Sequence, residues 1–267
     1  MKLKKTILWI TAIVLTLSIS VYQRMTGPSK PVRGKVNIND RTIRYKLIRT
    51  EDSGTNAQIA LLTNDETISG VIVYKRYKSY DEWHTDSLTY SKGILTATIP
   101  SQPPAGKVMY KIVLTDRNNH TYTLTEEPVI IRFKGNVPSF FLIPHIIFMF
   151  ISLLLALRLM LQSIFVKETN YIYTLITFCA LVLGGLVFGP IVQKFAFGAY
   201  WTGFPFGHDL TDNKTAIAVI FWGIGLYTCY RKKQTARWWV LTASLILLAT
   251  YLIPHSVFGS ELDFTKM

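Results

Sequence analysis

Residues 139–164 read SFFLIPHIIFMFISLLLALRLMLQSI, an apolar run whose one charged residue is Arg158. As a helix rising about 1.5 Å per residue, it crosses the roughly 30 Å of hydrocarbon in a bilayer. Outward from it, further runs of this kind lie near residues 6–22, 171–192, 215–230 and 238–254. Of the 267 residues, 49% are hydrophobic and only 17% charged, and the mean hydropathy is +0.27. That balance excludes a soluble enzyme, a disordered chain and a disulfide-stapled secreted module. The sequence therefore predicts an α-helical membrane protein with five transmembrane helices. The polar stretch between the first two runs forms an exported domain.

Three regions follow: an N-terminal anchor at 1–24, an extracytoplasmic domain at 25–136, and a four-helix membrane domain at 137–267 with an aromatic outer loop at 193–214. Met1–Lys5 followed by an apolar stretch also describes a signal peptide, with Ser18 and Ser20 at cleavage-compatible positions. The run from Thr6 to Tyr22 is long for such a segment, which favours a retained anchor.

Charge sets the topology. Lys2, Lys4 and Lys5 precede the first run, Arg158 and Lys167 bracket the turn after the second, and Arg231, Lys232, Lys233 and Arg237 fill the turn before the last. Short cytoplasmic loops carry excess Lys and Arg, so these three sites belong inside. The expected location is the bacterial inner membrane, N-terminus inside, with the β-domain and the C-terminus outside. The net charge of +13 is then mostly topology, and nucleic acid is not an expected partner. The two cysteines, Cys179 and Cys229, both fall in expected spans, so the exported domain folds without disulfides.

The exported domain reads as strands at 42–48, 57–62, 70–77, 94–99, 107–114, and 122–124 with 129–133, separated by turn clusters such as Asn64-Asp-Glu and Asp116-Arg-Asn-Asn-His. An all-β immunoglobulin- or fibronectin-like sandwich is the economical answer, with Tyr110 as a late-strand core tyrosine. His84 and His120 have no metal-ligand spacing and read as surface residues.

The remaining histidines are grouped. His145 lies in Leu142-Ile-Pro-His inside the second run, His255 in a second Leu252-Ile-Pro-His after the last, and His208 in the outer loop. An ionisable residue at membrane depth usually faces a bundle interior or cavity, which makes His145 the first candidate. Helix-end caps beside Pro144 and Pro254 are the alternative. The outer loop, Phe195 to Thr215, holds six aromatics and three glycines, then His208, Asp209, Asp212, Asn213 and Lys214. Its polar cluster could cap the next helix, and its rings offer stacking surface. Gly185 and Gly189 form a G-x-x-x-G that lets helices approach, and Trp238 and Trp239 read as interface anchors.

The segment Phe197-Gly-Ala-Tyr-Trp, followed by Asp209 and Lys214-Thr and flanked by His145 and His255, resembles the tryptophan-rich outer loop of cytochrome c assembly proteins. Those haem-handling proteins carry a pattern close to W-G-x-Y-W-x-W-D-P-K-E-T. Phe258-Gly-Ser-Glu-Leu is similar to the segment that ends their domain, so the likeness covers about residues 140–262. Only Trp201 remains of the usual tryptophans. The resemblance implies non-covalent haem b with His145 and His255 as axial ligands and Tyr200, Trp201, Asp209 and Lys214 around the haem, in a protein that delivers haem to apocytochrome c. The chain also looks like a group of uncharacterised bacterial membrane proteins of the same layout. The absence of C-x-x-C-H agrees with a carrier that does not attach its haem. Two other classes remain open: a non-catalytic scaffold or complex subunit whose sandwich binds a partner protein, and a metal or proton site built on His208, Asp209 and Asp212.

Overall fold

The structure, a computed structural model, describes residues 2–38, 41–231, 233–253 and 261–266. It divides into two compact units. The helical unit comprises residues 1–28, 137–195 and 199–259, and the β unit comprises residues 29–136 with 196–198 and 260–267.

The helical unit contains α1 (Lys2–Thr26), α2 (Ser139–Phe165), α3 (Tyr171–Leu181), α4 (Gly189–Phe197), α5 (Leu210–Arg231) and α6 (Lys233–Leu252). A π-helical segment, Val182–Phe188, joins α3 to α4, making Tyr171–Phe197 one continuous rod. Among the described residues, four helices are long and apolar enough to cross a membrane: Leu3–Thr26, Ser139–Phe165, Tyr171–Phe197 and Gln234–Leu252. The fifth expected span, at 215–230, falls in α5, which does not reach that apolarity. Its first turns carry Asp212 and Lys214 and its body Gly223, Gly225, Thr228 and Arg231. α5 nevertheless contributes to the same core as the others, burying Ala218, Trp222 and Cys229.

α1 packs as one of this set. Leu8, Ala12, Thr16 and Ile19 recur at helical spacing and are buried, and the Gln23 side-chain amide donates to the Tyr251 carbonyl at 2.7 Å. Contacts fix the helix directions. Trp9 meets Arg158 and Tyr173, Thr174 lies 3.8 Å from the Cys229 sulfur, and the Tyr251 hydroxyl donates to the Met149 carbonyl at 2.7 Å. Neighbouring rods therefore run up and down. One end, the basic end, gathers Lys4, Lys5, Arg158, Lys167, Arg231 and Arg237. The other, the loop end, gathers Gln23, His145, Lys214, Tyr251 and the 199–209 loop.

Among its described residues the β unit has eleven short strands: β1 (Val32–Ile38), β2 (Arg41–Leu47), β3 (Thr50–Asp52), β4 (Ala57–Leu62), β5 (Ser69–Arg76), β6 (His84–Ser87), β7 (Thr89–Ser91), β8 (Ile94–Ile99), β9 (Lys107–Thr115), β10 (Thr121–Thr123) and β11 (Val129–Lys134). The largest sheet runs β3-β11-β9-β5-β6 with β10 also on β9; β4-β8-β7 forms a second sheet, and β1-β2 a hairpin. All pairs are antiparallel except β3 with β11. Alternation along β4 puts Ala57, Ile59 and Leu61 inside, and alternation along β9 and β11 does the same for Tyr110, Ile112, Leu114, Ile131 and Phe133. These residues share one core between the sheets.

Tyr110 is fully buried as expected. Its hydroxyl donates to the Ile48 carbonyl at 2.8 Å, so it bonds to a segment far upstream rather than to a nearby turn. The tail is stitched into this unit: Glu261 pairs with Lys78 at 2.6 Å and Lys107 at 2.9 Å, the Leu262 N–H donates to the Ala105 carbonyl, and Arg76 lies over the Phe264 ring.

Candidate functional site at the loop end

The site begins with the start of α5. Asp209 precedes the helix and its carboxylate accepts from the Thr211 N–H at 2.7 Å and the Asp212 N–H at 3.3 Å, an N-cap that satisfies two otherwise orphaned donors. Asp212, also in the first turn, does not reach back to the cap. Its Oδ2 accepts from the Thr202 N–H at 2.6 Å and the Gly203 N–H at 3.0 Å, and also from the Gln193 amide at 3.1 Å and the Thr202 hydroxyl at 3.3 Å. Asn213 adds a fifth tie through the Phe204 N–H, 2.7 Å from its Oδ1. One carboxylate thus joins the loop to the middle of α4 and the start of α5.

Only glycine fits at position 203. A Cβ there would stand 2.6 Å from the Asp212 Cβ and 2.7 Å from the Asn213 side-chain oxygen. The Gly203 carbonyl accepts from the Phe206 and Gly207 N–H groups, and the Trp201 indole donates to the Phe204 carbonyl at 3.1 Å. The tightened loop turns Phe204 and Phe206 outward, 78% and 82% exposed.

Lys214 is buried, and its ammonium donates to the Ile253 carbonyl at 2.6 Å. A lysine in the first turn of a helix opposes that helix's own dipole. Here it serves the carbonyls ending α6, where a cation is favoured.

His145 sits deeper, on α2. Its Nδ1 lies 2.9 Å from the Gly184 carbonyl of the π-helical segment, which also accepts from the Gly189 N–H. A carbonyl can only accept, so Nδ1 carries a hydrogen, and in the neutral ring Nε2 then keeps its lone pair. The close approach of α2 needs Gly184, where a Cβ would meet Met149 Sδ at 2.9 Å. Of the expected G-x-x-x-G pair, Gly185 faces Thr215 of α5 at 2.7 Å, whereas Gly189 faces His145 only at 3.8 Å. The tightest contacts therefore come from the adjacent pair Gly184-Gly185.

The expected residues are brought together only in part. Asp209 and Lys214 are bonded to this chain's own backbone. Tyr200 is exposed with Lys194 over its ring at 5.5 Å, Trp201 is half-buried, and His208 is exposed. His255, with Pro254 and Phe258-Gly-Ser, lies outside the described residues. Among the described residues no three His, Cys, Asp or Glu side chains converge to hold a metal ion, and the two loop carboxylates are occupied by N–H donors. The residue that sequence reasoning missed is Gln193; a lone amide in an apolar run was the available signal, since such a group needs partners.

In the β unit, His84 packs against the Tyr74 ring and His120 bonds to Asp116 in a turn, in keeping with surface positions. No protein-family model matches the chain, and no curated protein matches it in sequence. The likeness to the tryptophan-rich loop rests on the loop and histidine residues themselves.

Proposed function

We propose that the protein is a membrane-anchored scaffold or complex subunit whose β unit, an immunoglobulin-like sandwich, binds a partner protein. The observation that carries this reading is the edge formed by β6 and β7. Consecutive in the chain, they end the two sheets, every residue of both strands is exposed, and Tyr80, Trp83 and Tyr90 project beside or from them, 87%, 43% and 37% exposed. An unpaired strand edge offers main-chain donors and acceptors to an added strand, and neighbouring aromatics supply contact area. The loop end fits a supporting role, because its charged groups hold the loop rather than face a reactant.

In this reading α1 is a retained anchor and α5 the fifth span, its 22 residues rising about 33 Å. The basic end faces the cytoplasm of a bacterial cell, by the excess of Lys and Arg there, and the loop, β unit and C-terminus lie outside.

The test is a photo-reactive side chain at position 90, with one at position 51 on the far sheet edge as control, in cells making the full chain. A discrete cross-linked product from position 90 alone is expected. Equal patterns from both positions, or none, would remove the edge as a partner site.

A second reading has one specific observation in its favour. In the neutral ring the His145 hydrogen bond from Nδ1 to the Gly184 carbonyl leaves the Nε2 lone pair to serve as a ligand, the arrangement by which metal-bound histidines are oriented. Haem b delivered to apocytochrome c would be the cargo, with redox-active iron held by His145 and His255. Asp209 and Lys214 do not fit as haem contacts, being bonded elsewhere. If this reading is right, protein purified after expression with added haem shows a Soret band that is lost in His145→Ala. Colourless protein leaves the scaffold.

A further inference from the structure

The hairpin that opens the β unit, β1 with β2, has two faces of opposite character. On the inner one Ile38, Ile43 and Leu47 are buried, and Val32, Val36 and Tyr45 pack against the same core. Gly34 leaves room for the Tyr45 ring, which a Cβ at that position would overlap. The Tyr45 hydroxyl then donates to the Leu124 carbonyl, which fixes the hairpin on the rest of the unit.

Strand alternation sends the other side chains outward, and Arg33, Lys35, Asn37, Thr42, Arg44 and Lys46 are all exposed. The register sets Arg33 opposite Lys46, Lys35 opposite Arg44 and Asn37 opposite Thr42. In the last pair the side chains meet, the Thr42 hydroxyl donating to Asn37 Oδ1 at 2.8 Å. Opposite residues on one face hold their Cβ atoms about 5 Å apart, and successive outward residues of one strand stand about 7 Å apart. Arg33, Lys35, Arg44 and Lys46 therefore form one block of four cations. Like charges directly opposite one another destabilise a strand pair, and this hairpin holds two such pairs side by side. None of the four makes an ion pair among the described residues. The only acidic residue before Glu51 is Asp40, which lies outside the described residues.

An anionic surface laid on this face would relieve the repulsion. Protein interfaces centre on buried aromatic anchors, and this face offers none, only long flexible cations with Asn37 and Thr42. Such an array suits charged lipid headgroups, which move laterally to meet it. The chain adds a second argument. Arg33 stands seven positions after Thr26, where the candidate membrane span Leu3–Thr26 ends. Seven residues extend at most about 25 Å, so the hairpin is tethered within reach of the surface that α1 enters. Tethering makes docking intramolecular, so contacts too weak to bind a free domain suffice. We propose that the outer face of the β1–β2 hairpin docks on the anionic phospholipid headgroups of the membrane that anchors α1. The inference rests on α1 as a membrane anchor and is independent of the β6–β7 edge and of the haem reading.

The full chain, with a photo-reactive side chain at position 37 on this face or at position 85 on β6, is placed in lipid nanodiscs. One set contains phosphatidylglycerol and phosphatidylcholine in equal parts, the other phosphatidylcholine alone, and lipid adducts are read by mass spectrometry. Position 37 is expected to capture lipid at least tenfold more in the phosphatidylglycerol discs, with the gain lost in high salt, while position 85 shows no such gain. Each Lys or Arg at an anionic surface strengthens binding about fivefold. Lys35→Gln with Arg44→Gln should therefore remove most of the gain, and Arg33→Gln with Lys46→Gln should do the same. Equal capture in the two sets of discs, a gain that survives in both paired variants, or a chain that fails to enter the discs overturns the proposal. In cells, a discrete protein product from position 37 in place of lipid would assign the face to an acidic partner protein and overturn the lipid as its occupant.

Discussion

Asp212→Ala is expected to release the loop from Gly198 to Gly207 and to unseat the start of α5. The wild-type carboxylate is 5% exposed and accepts from two backbone N–H groups, an amide and a hydroxyl. Alanine leaves the Thr202 and Gly203 N–H groups without an acceptor in a buried place, at roughly 1–3 kcal/mol each. A local loss of about 4 kcal/mol exceeds what a surface loop can absorb, so it opens rather than strains. The measurement is limited proteolysis of the full chain, read at Tyr200–Phe206. Cleavage should accelerate by two orders of magnitude or more, whereas Asp212→Asn, which keeps an acceptor oxygen, should fall between. Unchanged protection in Asp212→Ala would mean that Gln193 and Asn213 suffice to hold the loop.

That network marks the limit of what could be read from residues in order. The apolar runs foretold four helices long and apolar enough to cross a membrane because hydrophobicity over a span's length is a one-dimensional property. α5 was harder: its apolar middle is legible, but its polar ends bond to partners distant in the chain, Asp212 to the loop and Lys214 to α6. The same two residues looked like ligand-binding groups, since an isolated carboxylate and ammonium beside aromatics carry no sign of the backbone donors and acceptors that claim them. Alternation revealed the strands of the β unit that have one buried face, such as β4, β9 and β11. β6 and β7 escaped because His84-Thr-Asp-Ser and Thr89-Tyr-Ser bury nothing and so have no pattern. The edge on which the proposed partner would dock was invisible for the reason that makes it available.

The tail carries the second large effect. Glu261 stands between two ammonium groups, and its side chain and that of Lys107 are 10% and 11% exposed. Burial by itself would raise its carboxyl, but the hydrogen bonds and charges of Lys107 and Lys78 outweigh this and hold it below the ordinary glutamate value. A carboxyl depressed in the folded state contributes stability that is present above its unfolded pKa and is lost as pH falls through the folded one. Docking of the tail on the β unit should therefore be intact at neutral pH and weaken as the pH drops below about 4. Glu261→Ala removes the anion at every pH and leaves Lys107 buried without a counter-charge, which costs about 3 kcal/mol, the low end for breaking a buried pair. Hydrogen exchange at the Leu262 N–H, which the Ala105 carbonyl accepts, reads this directly. The protection factor there should fall about a hundredfold in Glu261→Ala at neutral pH, and the wild-type protection factor, taken against the intrinsic exchange rate at each pH, should fall toward the same value in acid. A pH-independent protection factor in wild type, or an unaffected variant, would show that Phe264 against Arg76 and the backbone bond hold the tail without the carboxylate. Held in this way, residues 261–266, though they follow α6 in the sequence, are part of the β unit, so a change in that carboxylate is a change in the β unit itself.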